Sequence, residues 1–352
     1  MRALLVSFGD ALGIKVLYCL SRSCEVVDVA ASSARSSLRY SRYANRFLAL
    51  PSNGSGFDAD RAVEVINAHI ESRGIDVILA DNQDSMEFLY HNADRLAAPS
   101  FAPSKPETTA RIHDKWCFYE TLNAAGLNTP RTKILSSLDE LSPSFADEIG
   151  FPLLIKPLNC EASHGIVTFQ DYSTLESYVK SPGPYRELPL ILQEFVPGID
   201  IDYSAVKLDG RVLAYDVVEH AEFDVRLFRD EPRVVELGEA ILKAFDYDGV
   251  AHIDMRIDQR TDKLFAIECN PRFWFTVTAS LWKGTNFPAL VAQAALGEKV
   301  PTATTEPGPY WLPSYVVRNF ATPWRLTAVS RKNWSGFFQV VSDPLPHLMS
   351  KL

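Results

Sequence analysis

The chain has 352 residues, of which 47% are apolar and 22% charged, with a formal net charge of −9. That length is too great for one small core and suits two or three packed lobes, while the acidic balance argues against a nucleic-acid surface, which needs a basic stripe. No stretch approaches the roughly 18 uninterrupted apolar residues of a membrane span, and Asp10 and Lys15 break the N-terminal apolar run before it can act as a signal peptide. The five cysteines (Cys19, Cys24, Cys117, Cys160, Cys269) are odd in number and form no CxxC pair. That pattern fits a reducing cytosol better than a disulfide framework or zinc site, so the expectation is a cytoplasmic enzyme or binding protein.

Residues 3–8 read as a buried strand, 10–22 as a helix, 25–30 as a second strand, 59–73 as a helix and 75–80 as another strand. This alternation predicts a parallel α/β lobe over 1–104. Its first turn, Phe8-Gly9-Asp10-Ala11-Leu12-Gly13, is not GxGxxG, so no dinucleotide is expected there. Beyond residue 105 the pattern changes. A helix over 114–125 precedes strands at 131–135, 151–156, 165–169, 189–196, 201–208 and 211–219, with Asp209-Gly210 as a hairpin turn. A helix at 235–246 leads to a hairpin of strands 251–257 and 264–269, and a last helix covers 287–296. The expected units are a small lobe at 105–193, a second lobe at 194–300 and an extension at 301–352 whose chemistry is not readable.

The hairpin AHIDMRIDQRTDKLFAIECNPR carries the most information. A turn near Thr261 sets Asp254 opposite Glu268 and His252 opposite Asn270, and the period of two puts Glu268 and Asn270 on one face. Two carboxylates and an amide suit Mg²⁺, which prefers oxygen ligands, and facing carboxylates need a cation in any case. Arg272 follows at the same edge with a planar fork suited to phosphate or a developing oxyanion. By pairing alone, a solvated acidic hairpin competes with this reading.

The run Ile267-Glu268-Cys269-Asn270-Pro271-Arg272 resembles the E-x-N-P-R signature of ATP-grasp enzymes, and the following residues resemble the carbamoyl-phosphate-synthetase-like branch of carboxylate–amine ligases. Asp114-Lys115, Leu154-Ile155-Lys156-Pro157 and Leu192-Gln193-Glu194-Phe195-Val196-Pro197-Gly198 match further landmarks in the expected order, over about residues 75 to 300. The resemblance implies an ATP-grasp fold of α/β and α+β parts behind an N-terminal parallel α/β lobe. It implies ATP and Mg²⁺ as cofactors, with Mn²⁺ as a substitute, and metal ligands Asp254, Glu268 and Asn270. Lys115 and Lys156 would hold phosphates, Gln193 and the backbone of Glu194 and Val196 the adenine edge, and Asp200 the ribose, with Asp202 as its alternative. Arg272 and Lys156 would be catalytic.

The lid loop, Asn159 to Gly165, departs from the family's glycine-rich pattern with its single glycine, although Ser163 and His164 could contact phosphate. Tyr203, Arg226, Phe273, Trp274 and Phe275 fall near the expected cleft. The implied reaction joins a small carboxylate, activated as an acyl phosphate, to an amine. A bicarbonate-using carboxylase or carbamoyl-phosphate former, or a degenerate nucleotide-binding module, stays open beside it, as does a homodimer.

Overall fold

The computed structural model describes residues 1–53, 56–158 and 165–350. The first lobe runs β1 (Arg2–Ser7), α1 (Asp10–Ser21), β2 (Val26–Ala31), β3 (Arg46–Ala49), α2 (Ala59–Arg73), β4 (Val77–Ala80) and α3 (Gln83–Asn92). Its strands form a parallel sheet in the order β3-β2-β1-β4. Ala3 and Leu5 of β1 join one apolar cluster and Leu4 and Val6 another, so both faces are covered. That double burial explains why these strands read as unbroken apolar runs. Among these elements, β3 and α3 were not anticipated from the sequence. The start of α3 is fixed by a capping box between Asn82 and Ser85.

Two helices follow, α4 (Pro106–His113) and α5 (Lys115–Ala124). Asp114 separates them and caps α5 by accepting from the N–H groups of Trp116 and Cys117. Sequence grouped this segment with the small lobe. Ile112, Phe118 and Leu122 instead enter the same core as Tyr203, Ile253 and Met255. The small lobe's sheet starts only at β5 (Thr132–Leu135) and adds α6 (Pro143–Asp147), β6 (Leu153–Pro157), β7 (Val167–Phe169), α7 (Tyr172–Lys180) and β8 (Leu190–Glu194). Its strands are antiparallel, ordered β5-β8-β6-β7. Leu153 and Ile155 are buried in this lobe's core. By the period of two, Leu154 and Lys156 take the opposite face.

The largest sheet is built from β9 (Gly198–Leu208), β10 (Arg211–Glu222), β11 (Val225–Phe228), β12 (Gly249–Asp258), β13 (Leu264–Asn270) and β14 (Gly308–Trp311). Their order is β13-β12-β9-β10-β11-β14, with Ala303–Thr304 added beside β10. Helix α8 (Pro232–Ala244) packs on one face through Val234, Ile241 and Leu242, against Ile201, Tyr203 and Ile253. The other face is left for chemistry. Tyr203, expected at the cleft, is fully buried under α8.

Helices α9 (Val277–Trp282) and α10 (Phe287–Ala295) connect this sheet to α1 of the first lobe. The tail forms α11 (Pro313–Arg318), α12 (Arg331–Ser342) and α13 (Pro344–Met349). It folds back on the first lobe, where Asp343 accepts from Ser41 Oγ at 2.6 Å and from the Arg42 N–H at 2.9 Å. Among the described residues, no helix is long and apolar enough to cross a membrane.

Close approach of α8 to the large sheet depends on Gly238, where an added Cβ would lie 2.2 Å from the Tyr203 ring. Gly238→Ala is expected to cost roughly 1–3 kcal/mol by overpacking, read as a lower urea midpoint at an unchanged slope.

Candidate active site

The free face of the large sheet carries a row of polar side chains whose positions follow from register. Asp202 on β9 pairs with Val218 on β10 and with Asp254 on β12. Asp254 pairs with Glu268, and His252 with Asn270, across β12 and β13. Directly paired residues share a face, and so do residues two apart on one strand. His220, Asp202, Ser204, His252, Asp254, Glu268 and Asn270 therefore all belong to one surface. The pairing anticipated from sequence holds here. A bulge after Asp254 then pairs Met255 with Ala266, leaving Ile267 as the extra residue.

At the centre, Asn270 Nδ2 donates to Asp254 Oδ2 at 3.3 Å. Glu268 and Asp254 also share a hydrogen bond. Burial, and then the charge of Asp254, push the Glu268 carboxyl above its ordinary range. Burial opposes ionisation of Asp254 too, but its hydrogen bond with His252 and that ring's charge hold it below the usual carboxylate value. The pair is thus short of positive charge; Asn270 turns its amide nitrogen to Asp254 and its oxygen to Arg272, and a flip of that amide would bring a third oxygen to the two carboxylates. This donor set fits a hard cation such as Mg²⁺ at Asp254, Glu268 and Asn270.

Two lysines approach the same carboxylates. Lys115, at the first turn of α5, places Nζ 3.6 Å from Glu268 Oε2. Lys156 reaches in from β6 and is only 4% exposed. Burial lowers Lys156 to about 8, with Glu268 pulling the other way. Leu154, Lys156, Thr168 and Gln193 of the small sheet face Asp200, Asp202, Asp254 and Glu268 of the large one across a cleft of 530 Å³.

The back of this cleft is the segment joining β8 to β9. Gln193 is buried, and its Nε2 donates to Thr132 Oγ1 at 3.0 Å, while its Oε1 has no partner. The N–H of Glu194 donates to Arg131 O, so a purine at this edge could meet only the Glu194 carbonyl, not its amide. Val196 lines the same cleft. Asp200 is half exposed at the mouth, 3.1 Å from Arg256 Nε, whereas Asp202 is buried and bonded to His220. The expected residues Ser163 and His164 lie outside the described residues.

Arg272 points elsewhere. Its guanidinium donates to Phe273 O at 3.0 Å and to Asn270 Oδ1 at 3.4 Å. With Phe275 it lines a second cavity of 530 Å³, together with Gly9, Asp10, Asn82 and His113. This cavity joins the C-terminal ends of β1 and β4 to the end of the β12–β13 hairpin. Phe273 and Trp274, by contrast, are buried in the core between lobes. Arg226 donates to the carbonyls of Glu222, Phe223 and Val225 on its own hairpin.

Sequence reading did not single out His220, His252 or Ser204 for a role. His252 had been placed opposite Asn270, and that shared face was the available signal. Burial works against charge on His252, yet Asp202 and Asp254 outweigh it and lift the ring to about 9.

A polyphosphate beside Lys156 would restore the charge that burial suppresses, raising its affinity for a proton. ATP binding at pH 8 is therefore expected to take up a proton fraction that vanishes toward pH 7, and affinity should weaken above pH 8, by up to roughly tenfold per pH unit. Calorimetry in buffers of different ionisation enthalpy measures this uptake, and Lys156→Arg should bind without it.

Residues 112–218 match the ATP-grasp domain family. The mitochondrial arginine-specific carbamoyl phosphate synthase large chain of Schizosaccharomyces pombe is 27% identical over 215 residues, which cover 54% of this chain and 18% of that one. The chain thus spans less than a fifth of that relative's length. An L-amino acid ligase from Bacillus licheniformis superposes with a TM-score of 0.61 at 20% identity, covering 84% of this chain and 74% of the ligase. The ADP complex of N5-carboxyaminoimidazole synthetase from Staphylococcus aureus gives a TM-score of 0.68 at 16% identity, over 92% and 86% of the two chains. With an acidic hairpin and two lysines between two antiparallel sheets, behind a parallel α/β lobe, the chain has the fold of these solved structures, and its residues 112–218 match an ATP-grasp domain.

Proposed function

We propose that the chain is an ATP- and Mg²⁺-dependent ligase that activates a small carboxylate as an acyl phosphate and passes the acyl group to an amine. One observation carries this reading: Asp254 and Glu268 face Lys156 across a cleft large enough for a nucleotide, with Asn270 against Asp254 and Lys115 3.6 Å from Glu268. When bound, Mg²⁺ supplies charge neutralisation for the phosphates. Lys156 and Lys115 hold the β- and α-phosphates, Gln193 and the Glu194–Val196 backbone the adenine, and Asp200 the ribose. These contacts align the γ-phosphate for in-line attack by the substrate carboxylate, and positioning with charge compensation is most of what phosphoryl transfer requires. ADP leaves, and the amine displaces phosphate from the acyl carbon to form the amide. Arg272 lies toward the second cavity and stabilises the oxyanion of that step. We assign this second cavity to the small-molecule substrates, because it is the space Arg272 shares with the first lobe.

A second reading has specific support. Carbamoyl phosphate synthase and N5-carboxyaminoimidazole synthetase are among the similar proteins, so bicarbonate is the rival carboxylate. A degenerate nucleotide-binding module fits less well, since both lysines and all three metal-type donors are in place. Mn²⁺ would substitute in the same oxygen set. The compartment expected from the cysteine pattern is the cytoplasm, and a homodimer is compatible with the reading.

The test pairs binding with turnover. Wild-type protein should bind MgATP, and Glu268→Ala/Asn270→Ala should lose at least about tenfold in affinity. ADP release that depends on an amino acid plus an amine supports the ligase. Release driven by bicarbonate moves the assignment to the second reading, and binding without turnover on any pair favours the degenerate module. Absence of ATP binding overturns all three.

A further inference from the structure

Beside the expected Mg²⁺ ligands lies a nitrogen-containing group that the ligase reading leaves unused. His252 Nε2 stands 3.3 Å from Asp254 Oδ1 and 3.8 Å from Asp202 Oδ2. One ligand atom from each of Asp202, His252 and Asp254 falls within 4.8 Å of the other two. Two donors each about 2.1 Å from one ion, at a tetrahedral angle, stand about 3.4 Å apart, so these three side chains can close on a single small cation. His220 Nε2, 2.5 Å from Asp202 Oδ2, is within reach as a fourth donor.

The surroundings hold His252 for this task. Its Nδ1 is 2.9 Å from Ser204 Oγ. Ser204 pairs with Asp216 on the neighbouring strand, and Asp216 accepts from Ser280 Oγ at 2.5 Å. With Nδ1–H donating to Ser204, Nε2 is the nitrogen aimed at Asp202 and Asp254, and a bound cation would take the place of the proton it holds there. A hydrogen bond to the far nitrogen is the usual way a protein fixes a metal-ligating imidazole. The Trp274 ring stacks on the imidazole at 5.7 Å and 9°, restricting its rotation. Asp202, His220 and Asp254 also line the cleft, so an ion can enter from solvent.

We propose that Asp202, His252 and Asp254, with His220, bind a second divalent cation of the zinc class, independently of nucleotide. The donor chemistry separates this site from the Mg²⁺ site. Two imidazoles and two carboxylates suit Zn²⁺ or Co²⁺, whereas Mg²⁺ takes oxygen ligands and keeps its waters. Asp254 is the shared residue and sits between the two ions. Glu268 and Asn270 belong to the nucleotide side alone, and Asp202, His252 and His220 to the other.

Titration of the nucleotide-free full chain with Co²⁺, followed by visible absorption and by Zn²⁺ competition, tests this site. One equivalent with ligand-field bands is expected, lost in His252→Ala and retained in Glu268→Ala. No bands without nucleotide, or bands lost in Glu268→Ala but kept in His252→Ala, would overturn the proposal. Should His252→Ala fail to fold, Ser204→Ala keeps every ligand and decides the matter. It should weaken Co²⁺ binding roughly 10–100-fold, and an unchanged affinity overturns the site. Because no ATP is present, the result is independent of whether the ligase reading holds.

Discussion

Asp254 and Glu268 are held opposite each other by backbone pairing, and the rest of the site is arranged around that repulsion. Two unit charges about 4 Å apart interact by roughly 4 kcal/mol at the effective dielectric of a protein surface. The β12–β13 ladder fixes both side chains on one face, so the fold cannot relieve this by turning one away. Cations must come to them. Lys115 arrives from the first turn of α5, where a positive charge opposes the helix dipole, and its closeness to Glu268 compensates for that position. Lys156 comes from a different sheet, and His252 from two residues along the same strand.

That division of charge explains why the cleft lies between two sheets and not within one. The large sheet contributes the acids and the small sheet a buried lysine whose charge is disfavoured by burial. Neither wall is electrostatically comfortable alone. A metal-bound polyphosphate would offer negative charge to Lys156 and positive charge to Asp254 and Glu268, and so would suit both walls together. The same reasoning accounts for the stiffness behind the acids. Ser204, Asp216 and Ser280 form a polar layer beneath His252, and Trp274 covers the ring from the side.

Much of this was legible because antiparallel pairing is arithmetic. The Asp254–Glu268 and His252–Asn270 partners follow from a turn near Thr261, and α2 occupies the residues its apolar spacing marks. The bulge at Ile267 was not legible, since nothing in its side chain distinguishes it from its neighbours. The helix read at 114–125 was grouped with the small lobe, whereas Phe118 and Leu122 pack in the large sheet's core, because an amphipathic helix announces an apolar face and not its partner. Tyr203 could have been read correctly. It alternates with Asp202 and Ser204 on one strand, so a cleft-facing Asp202 already sends Tyr203 into the core. The short β3, β11, α11 and α13 carry too few periodic residues to declare themselves, whereas α12, with its capping box at Ser330 and Asn333, could have been read.

The position of Arg272 bears on what the first lobe is for. That lobe lacks a dinucleotide fingerprint, and the residues expected to meet the nucleotide lie outside it, on the two antiparallel sheets, the segment between them and helix α5. Yet the lobe is tied to them by Asn286 Nδ2 donating to Cys19 O, by α1 packing on α9, and by Asp343 holding Ser41 and Arg42. These ties place the loop after β1 and the start of α3 against Arg272 and Phe275. Gly9 leaves little spare room there, since an added Cβ would lie 3.0 Å from Asn82 Nδ2. The Gly9–Leu12 segment belongs to neither antiparallel sheet, although Leu12 is buried in the core that the first lobe shares with the large one. If the second cavity takes the substrates, as proposed, then Gly9, Asp10 and Asn82 give the first lobe a share in their recognition, apart from Asp254, Glu268 and the two lysines.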